Sequence, residues 1–302
     1  MSETELVRDA ARRLSEVRTR PLLVLTAQLL PPTVRMVREV LPRHGRHLDL
    51  VLRSPGGCVC CAYVVARELR RRFERVEVFV PLATKSAATL IALAADELVL
   101  GDLGELGPLD AQSDNLGTDS DPDRSCLKLS EALALLKGYA GDACEELARS
   151  LTQNGIRGDD AYRAATEFAG KICQPLYGQL TPQALGESMR NNQVGVAYAD
   201  RILRRYRPEL YAQNGPKIIE RLAWEYPTHR FVIDREELEE MGVPARAPTA
   251  AEALPLEELA NALAGLPDDA VFIEVIAAPM PAAEATVAAN ESGAQRPRAL
   301  AA

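Results

Sequence analysis

Between residues 21 and 100 the chain alternates short apolar runs with segments of helical period, and this alternation limits the folds open to it. The runs at residues 21–27, 48–52, 76–80 and 97–100 are predicted as strands, and residues 32–41, 58–73 and 86–95 as the helices between them. Apolar runs without polar alternation indicate strands that are buried on both faces. Strands joined by helical crossovers form parallel sheets with right-handed connections. We therefore expect an α/β fold.

The second half of the chain has a mostly helical pattern. Helices are predicted at residues 126–152, 159–173, 181–191, 195–206, 215–224 and 235–241, with a short strand at 230–233. These patterns divide the chain into an N-terminal helix (1–20), a core with its helical extension (21–243), a peripheral helical segment (244–278) with a helix at 256–263, and a tail (279–302). The tail is rich in Ala, Pro, Glu and Ser without periodicity, which predicts disorder.

Charge and hydropathy exclude two classes of partner. The chain has 35 basic and 43 acidic residues and a net charge of −8, the wrong sign for binding nucleic acid through its phosphates. It has no apolar run of about 18 residues, so membrane insertion is not expected. Residues 1–20 mix acidic and basic side chains, unlike a signal peptide. A cytoplasmic location is expected.

No metal or organic cofactor is predicted. Six cysteines lack the His or paired spacing of a zinc site and are expected to be buried free thiols: Cys58, Cys60, Cys61, Cys126, Cys144 and Cys173. Asp119, Asp121 and Asp123 alternate as at the start of a calcium loop. Arg124 and Ser130 stand where such a loop needs Gly and Glu, so calcium binding is not expected.

Two predicted strand-to-helix turns carry the chemistry. Ser54-Pro55-Gly56-Gly57 follows the second strand, and glycines there let amide N–H groups face an anion or an oxyanion. Ser86 precedes a buried apolar helix, where its hydroxyl and the N–H of Ala87 lie at a helix N-terminus. The alternatives are a structural turn and an N-cap serine. Because both turns open on the same edge of a parallel sheet, we expect them to converge.

Three segments in order resemble the serine dehydrogenase proteinase family: SPGG at residues 54–57, SAATLIALAADELV at 86–99 and LGPLDAQ at 106–112. The similarity covers roughly residues 21–243 and includes YPTHRF at 226–231. This family looks like a soluble relative of signal peptide peptidase A within the Clp protease and crotonase fold. The resemblance implies a spiral of β-β-α units with a parallel sheet, a mostly helical C-terminal half and serine peptidase activity.

Carried over to this chain, the resemblance makes Ser86 the nucleophile. It places backbone N–H groups of the Gly56-Gly57 turn and of Ala87 in the oxyanion hole. Family members usually have Ser-Gly-Gly at the nucleophile, whereas Ala87 and Ala88 follow Ser86 here, which requires a negative φ at both alanines. Lys85 precedes Ser86, where a small or apolar residue is common.

No histidine is well placed as the base. Clp-type proteases carry their histidine about where this chain has Asp110, which is expected to orient a lysine, hold its loop or cap a helix. His44 and His47 are predicted at the surface. His229 is predicted to be a structural, hydrogen-bonded residue.

A lysine is the other known base, and it must be neutral near pH 7 to accept a proton. Lys128 is the first choice because it opens the long helix predicted at residues 126–152, as the lysine of the membrane-associated relatives looks to do. Lys137 is the second choice and Lys85 the third. The alternative is that all three are solvated surface lysines.

The leading hypothesis is a homo-oligomeric serine peptidase that cleaves peptides or unfolded protein segments through an acyl-enzyme on Ser86, without a cofactor. The alternative is a catalytically weak or inactive oligomeric scaffold or binding module of the same fold. Crotonase chemistry on an acyl-CoA would need a glutamate base near the glycine turn, and the segment around Ser86 disfavours it.

Overall fold

A computed structural model describes residues 2–109, 127–180 and 182–278. Its strands are β1 (Leu22–Thr26), β2 (Gly45–Arg53), β3 (Phe73–Val80), β4 (Ala83–Thr84), β5 (Glu97–Leu100), β6 (Glu105–Leu106), β7 (Ala245–Arg246) and β8 (Phe272–Ile276). Its helices are α1 (Glu3–Arg18), α2 (Pro31–Val40), α3 (Val59–Arg72), α4 (Ala88–Leu93), α5 (Leu127–Gln153), α6 (Gly158–Tyr177), α7 (Pro182–Tyr206), α8 (Pro208–Glu220), α9 (Arg235–Glu240) and α10 (Ala250–Ala264), with a π-helical turn at Arg221–Glu225.

The main sheet has the strand order β7-β5-β3-β2-β1-β8. All of its strand pairs are parallel except β1 with β8, which is antiparallel. Strands β4 and β6 pair in a second, smaller sheet, and the bridges Leu29–Gly57 and Ser54–Thr84 extend it. Each of the first parallel strands is therefore followed by a short extended segment in a second layer. The mixed α/β fold with a mostly parallel sheet and a mostly helical C-terminal half is confirmed.

The main sheet lies between two layers of helices. Leu22 and Val24 of β1 pack in one buried cluster with α1 and α10, whereas Leu23 and Leu25 pack in the other with α3, α4 and α7. Because alternate residues enter different cores, every residue of β1 is buried. This arrangement explains why β1 is apolar at every position from Leu22 to Leu25.

Three predictions about the C-terminal half need correction. The helices predicted at 181–191 and 195–206 are the single helix α7, in which Gly195 packs against the Leu109 carbonyl, 3.3 Å from where a Cβ would lie. The strand predicted at 230–233 is one bridge between Ile233 and Leu106. Residues 244–278 hold the predicted helix as part of α10, but they also supply both edge strands, β7 and β8, and are not peripheral. The tail at 279–302 lies outside the described residues.

A buried ion cluster ties α1 and α10 to the middle rows of the sheet. Arg18, at the end of α1, donates to Asp49 at 2.7 Å, Glu77 at 2.6 Å and Glu252 at 2.7 Å. The three carboxylate side chains are at most 4% exposed. Burial opposes the ionisation of Glu77, but hydrogen bonds from Arg75 and Arg20 outweigh it and lower its pKa to about 2. The N-terminal helix is therefore an integral part of the core.

Within the described ranges, no helix combines the length and apolar character needed to cross a membrane.

Candidate active site

The two predicted turns meet at the carboxyl edge of the sheet. The N–H of Lys85 donates to the Ser54 carbonyl at 2.9 Å, next to the Ser54–Thr84 bridge. A Cβ on Gly56 would lie 2.6 Å from the Cβ of Ser86 and 3.1 Å from its Oγ. Gly56 is therefore in direct contact with Ser86, and a side chain at position 56 would collide with it.

Ser86 has a backbone conformation that is rare for a serine. Its φ is +56°, in the left-handed region, which costs about 1–2 kcal/mol for a residue with a Cβ. The N-cap of α4 is Ala87, and no side chain caps this helix, so the N-cap interpretation of Ser86 is wrong. A left-handed serine between a strand and a helix is the geometry of a nucleophile elbow, and Ser86 is 6% exposed in this structure.

Backbone N–H groups beside Ser86 are free to receive an oxyanion. Within the described part of the chain, the N–H groups of Gly57 and Ala87 have no acceptor. The N–H of Gly56 differs, because it donates to Ser54 Oγ at 3.1 Å. Ala87 has φ −54°. This negative φ is the condition under which an alanine can replace the glycine that family members have after the nucleophile. Gly57 and Ala87 are thus available as donors, and Gly56 supplies space.

Buried hydroxyl groups hold these turns in place. Ser54 Oγ donates to the Ala27 carbonyl at 2.7 Å, which anchors the acceptor used by Gly56. Thr84 Oγ1 donates to the Leu52 carbonyl at 2.8 Å, and Thr89 Oγ1 donates to the Gly107 carbonyl at 2.7 Å. Neither threonine was predicted from the sequence, although two Thr residues around an otherwise apolar strand-to-helix turn are a usable signal.

Lys85 is fully engaged in structural contacts. Its Nζ lies 2.7 Å from Glu105 Oε1 and donates to the carbonyls of Leu106 and Phe231, each at 3.2 Å. An ammonium group has three N–H donors, and these three acceptors use all of them. Lys85 therefore ties the Ser86 turn to β6 and to the loop after the π-helical turn, and this geometry argues against a role as the base.

The structure describes the other two candidate lysines and Asp110 to different extents. Lys137 is exposed on α5. Lys128 is the second residue of α5, and its side chain lies outside the described part of the structure. Asp110 lies outside the described residues as well, directly after the buried Leu109. The structure thus gives the backbone position of Lys128 and leaves its role as a prediction.

The three histidines occupy distinct environments. His44 is exposed and His47 is half-buried in β2, both towards the amino end of that strand. Strand geometry of about 3.3 Å per residue separates His47 from Ser54 by roughly 20 Å, so neither reaches Ser86. His229 is 4% exposed and lies two residues from Phe231, whose carbonyl contacts Lys85.

The cysteines are only partly as predicted. Cys61 and Cys173 are buried, Cys58 and Cys144 are half-buried, and Cys60 is exposed, which corrects the expectation of uniformly buried thiols. Cys126 lies outside the described residues. In the described ranges, no group of three or more His, Cys, Asp and Glu side chains is arranged to hold a metal ion.

The layered β-β-α units and the left-handed Ser86 at a strand-to-helix turn are the features on which the chain can be compared with known families. Residues 32–131 match the sequence model of the ClpP-like SDH-type serine proteinase family. This match includes both turns and confirms the resemblance to the serine dehydrogenase proteinase family.

Two uncharacterised proteins of Methanocaldococcus jannaschii are similar to shorter parts of the chain. One is 40% identical over 65 residues, which are 22% of this chain and 23% of the relative. The other is 32% identical over 79 residues, which are 26% of this chain and 25% of the relative. The chain thus matches about a quarter of the length of each relative.

Proposed function

We propose that this protein is a serine peptidase that cleaves peptides or unfolded protein segments through an acyl-enzyme on Ser86. The observation that carries the proposal is the left-handed Ser86 in contact with the Gly56-Gly57 turn, together with the N–H groups of Gly57 and Ala87, which have no acceptor within the described residues. The family match at residues 32–131 supports the same reaction class. Neither observation calls for a metal or an organic cofactor in this chemistry.

In the proposed reaction, Ser86 Oγ forms a bond to the carbonyl carbon of the scissile peptide as its proton passes to a base. The carbonyl oxygen becomes an oxyanion that accepts hydrogen bonds from Gly57 and Ala87, where fixed dipoles stabilise the transition state. The base then protonates the leaving amine. Water deprotonated by the same base hydrolyses the ester and restores Ser86.

We propose Lys128 as this base. It lies in the first turn of α5, where the positive end of a helix dipole disfavours an ammonium ion, and α5 packs against α7, which covers α3 and α4. Of the other two candidate lysines, Lys85 is occupied by three acceptors and Lys137 is exposed. His229 is the remaining candidate because it is the only buried histidine.

The test is the rate at which a fluorophosphonate probe labels the protein, followed by intact-mass spectrometry. We expect stoichiometric labelling of the wild type, none in Ser86→Ala, and a loss of about 100-fold or more in Lys128→Ala, the usual contribution of a general base. Ser15→Ala, at a buried serine in α1, and Lys137→Ala serve as matched controls and should label at the wild-type rate.

Other outcomes decide between the alternatives. Full labelling of Lys128→Ala together with loss in His229→Asn would transfer the base role to His229. A folded wild type that does not label would contradict the peptidase proposal and support the inactive scaffold.

We also propose a homo-oligomer that forms through the α5–α6 hairpin. These two antiparallel helices pack mainly on each other and leave large apolar side chains exposed: Leu135, Tyr139, Tyr162, Phe168, Ile172 and Leu176. Three of them recur every fourth residue on α6, which makes one continuous stripe. The test is light scattering of Phe168→Glu/Ile172→Glu, which should reduce the molar mass, against Lys171→Glu beside the stripe, which should not.

A further inference from the structure

The segment that follows the oxyanion turn contains two thiols at the spacing of a redox-active pair. Gly57 is followed by Cys58, Val59, Cys60 and Cys61, so Cys58 and Cys61 form a C-x-x-C motif. In a chain with strand–helix–strand units, that motif is typical of thiol–disulfide chemistry rather than of a zinc site. Neither the family match nor the proposed peptidase reaction uses these thiols.

The structure places the two residues at the N-terminus of α3. Cys58 is the N-cap and Cys61 is the third helical residue, with the Ala62 N–H closing the first turn on the Cys58 carbonyl at 3.0 Å. Side chains at these two helix positions lie beside each other, which is why capping boxes form there. The chain shows this geometry at α1, where Ser2 and Glu5 occupy the same positions and form a capping box.

The two thiols differ in the way that a redox pair requires. Cys58 is half-buried and makes no cap bond to the helix, whereas Cys61 is 8% exposed. Burial and the neighbouring thiols of Cys58 and Cys60 raise the pKa of Cys61 to about 11. An accessible thiol that attacks first and a buried thiol that resolves the intermediate complete a dithiol exchange. Cys60 differs from both, because it is exposed and accepts a hydrogen bond from the Tyr198 hydroxyl at 3.6 Å.

The cap cysteine is coupled to the oxyanion hole through one short stretch of backbone. The Cys58 N–H donates to the Leu29 carbonyl at 2.8 Å, and the Leu29 N–H donates to the Gly56 carbonyl at 2.7 Å. Gly57 lies between these bonds with φ +127°, and a Cβ there would lie 2.8 Å from the Leu29 carbonyl oxygen. Both bonds join the turn to Leu29, so a backbone shift at Cys58 would be transmitted to Gly57.

We propose that Cys58 and Cys61 are a modification site, a dithiol that a low-molecular-weight disulfide oxidises to an intramolecular disulfide and thereby displaces the Gly57 N–H from the oxyanion hole. The Cys58 thiolate attacks the disulfide RSSR, which gives a mixed disulfide and one RS⁻. The Cys61 thiol then displaces the second RS⁻, so the protein loses two hydrogens and two RSH are released. The effect on Ser86 rests on the proposed function, whereas disulfide formation does not.

The experiment treats the full-length protein with oxidised glutathione and follows intact mass, peptide mapping and the fluorophosphonate labelling rate. We expect a loss of about 2 Da, a peptide pair linked through Cys58 and Cys61, and at least a 10-fold slower labelling that dithiothreitol restores. Cys61→Ala should label at the wild-type rate and resist the oxidant, apart from a stable mixed disulfide on Cys58. Cys60→Ser is the matched control and should respond as the wild type does.

Two results would overturn the proposal. One is that only mixed glutathione adducts form, without a Cys58–Cys61 link. The other is that the disulfide forms while the labelling rate of Ser86 is unchanged. If the reduced wild type does not label at all, the proposed peptidase function fails, and the mass and mapping data still decide whether the dithiol exists.

Discussion

Two polar regions of the same sheet are built in opposite ways. At the carboxyl edge, the hydroxyl groups of Ser54, Thr84 and Thr89 each donate one hydrogen bond to a backbone carbonyl, and the nearby ion pair is that of Lys85 with Glu105. In the rows nearer the amino end, Asp49 and Glu77 pair in register on β2 and β3, and both are bound by arginine. The first region is strained and is held mainly by neutral groups, whereas the second is held by a cluster of buried ion pairs.

The difference shows how a single sheet separates stability from function. Arg18 connects α1 to β2, β3 and α10 through three buried carboxylates, so this region fastens the layers together. The Ser86 turn keeps an unfavourable φ and N–H groups without an acceptor in the described chain. Such a site has to be held by its surroundings because it is locally unstable. We expect substitutions in the two regions to affect different measurements.

The largest effect is expected from Arg18→Met. This change leaves Asp49, Glu77 and Glu252 without their shared partner, and breaking a buried ion pair costs about 3–5 kcal/mol. Chemical denaturation should show a loss of about that size, while the fraction that remains folded labels at the wild-type rate. Arg13→Met, which removes an exposed ion pair on the same helix, should lose less than about 1 kcal/mol. A loss of stability in Arg18→Met as small as that in Arg13→Met would show that the buried ion cluster of Arg18 does not hold the layers together.

Acid should weaken the charged region next. Glu77 and Glu252 each have a pKa lowered to about 2, so in both groups the folded state favours the carboxylate more than the unfolded state does. The resulting stability, on the order of 3 kcal/mol for each group, is complete above pH 5 and is lost as the pH falls from about 5 to 2. Denaturation midpoints across this range should fall steeply in the wild type and less steeply in Glu77→Gln. Equal slopes in both would show that Glu77 is not the group responsible.

At the carboxyl edge, Gly56→Ala should slow fluorophosphonate labelling by about 100-fold, the size of effect seen when an oxyanion hole is disturbed. Its φ is +96°, and the new Cβ would lie 2.6 Å from the Cβ of Ser86. Gly101→Ala is the matched control, because its Cβ would have no neighbour closer than 3.6 Å. Labelling of folded Gly56→Ala at the control rate would mean that the turn does not shape the site.

The smallest effect concerns strain at the nucleophile itself. Ser86→Gly and Ser86→Ala both remove the hydroxyl, but glycine adopts φ +56° without a steric cost. We expect Ser86→Gly to be about 1 kcal/mol more stable than Ser86→Ala, measured by thermal denaturation. Equal stabilities would show that the left-handed conformation is not strained in the protein.

The sequence allowed the sheet and the convergence of its turns to be predicted, since the strand–helix alternation and the SPGG and Ser86 turns are local patterns. Strand β7 has two residues and β8 follows α10 rather than a crossover, so no local repeat marks them as sheet edges. The break predicted between residues 191 and 195 was wrong, because α7 continues through them, and Gly195 lies where a Cβ would be 3.3 Å from the Leu109 carbonyl oxygen.

The site was predicted at the level of residues but not of geometry. The positive φ of Ser86 has no local signature in the sequence. Gly56, which lies against Ser86 in the structure, is far from it along the chain. The pairing of Lys85 with Glu105 has no local signature either, because it joins two elements across a bridge in the smaller sheet. The identity of a side chain suggests what chemistry it can perform. Only the folded structure shows which side chains are already occupied by hydrogen bonds or ion pairs.

If Ser86 is the activated nucleophile, tandem mass spectrometry should map the fluorophosphonate adduct to this residue. We predict a single adduct on Ser86 in the reduced wild type, with unmodified Ser54 in the same digest. An adduct on any other residue, or none on a folded sample, would show that Ser86 is not an activated nucleophile.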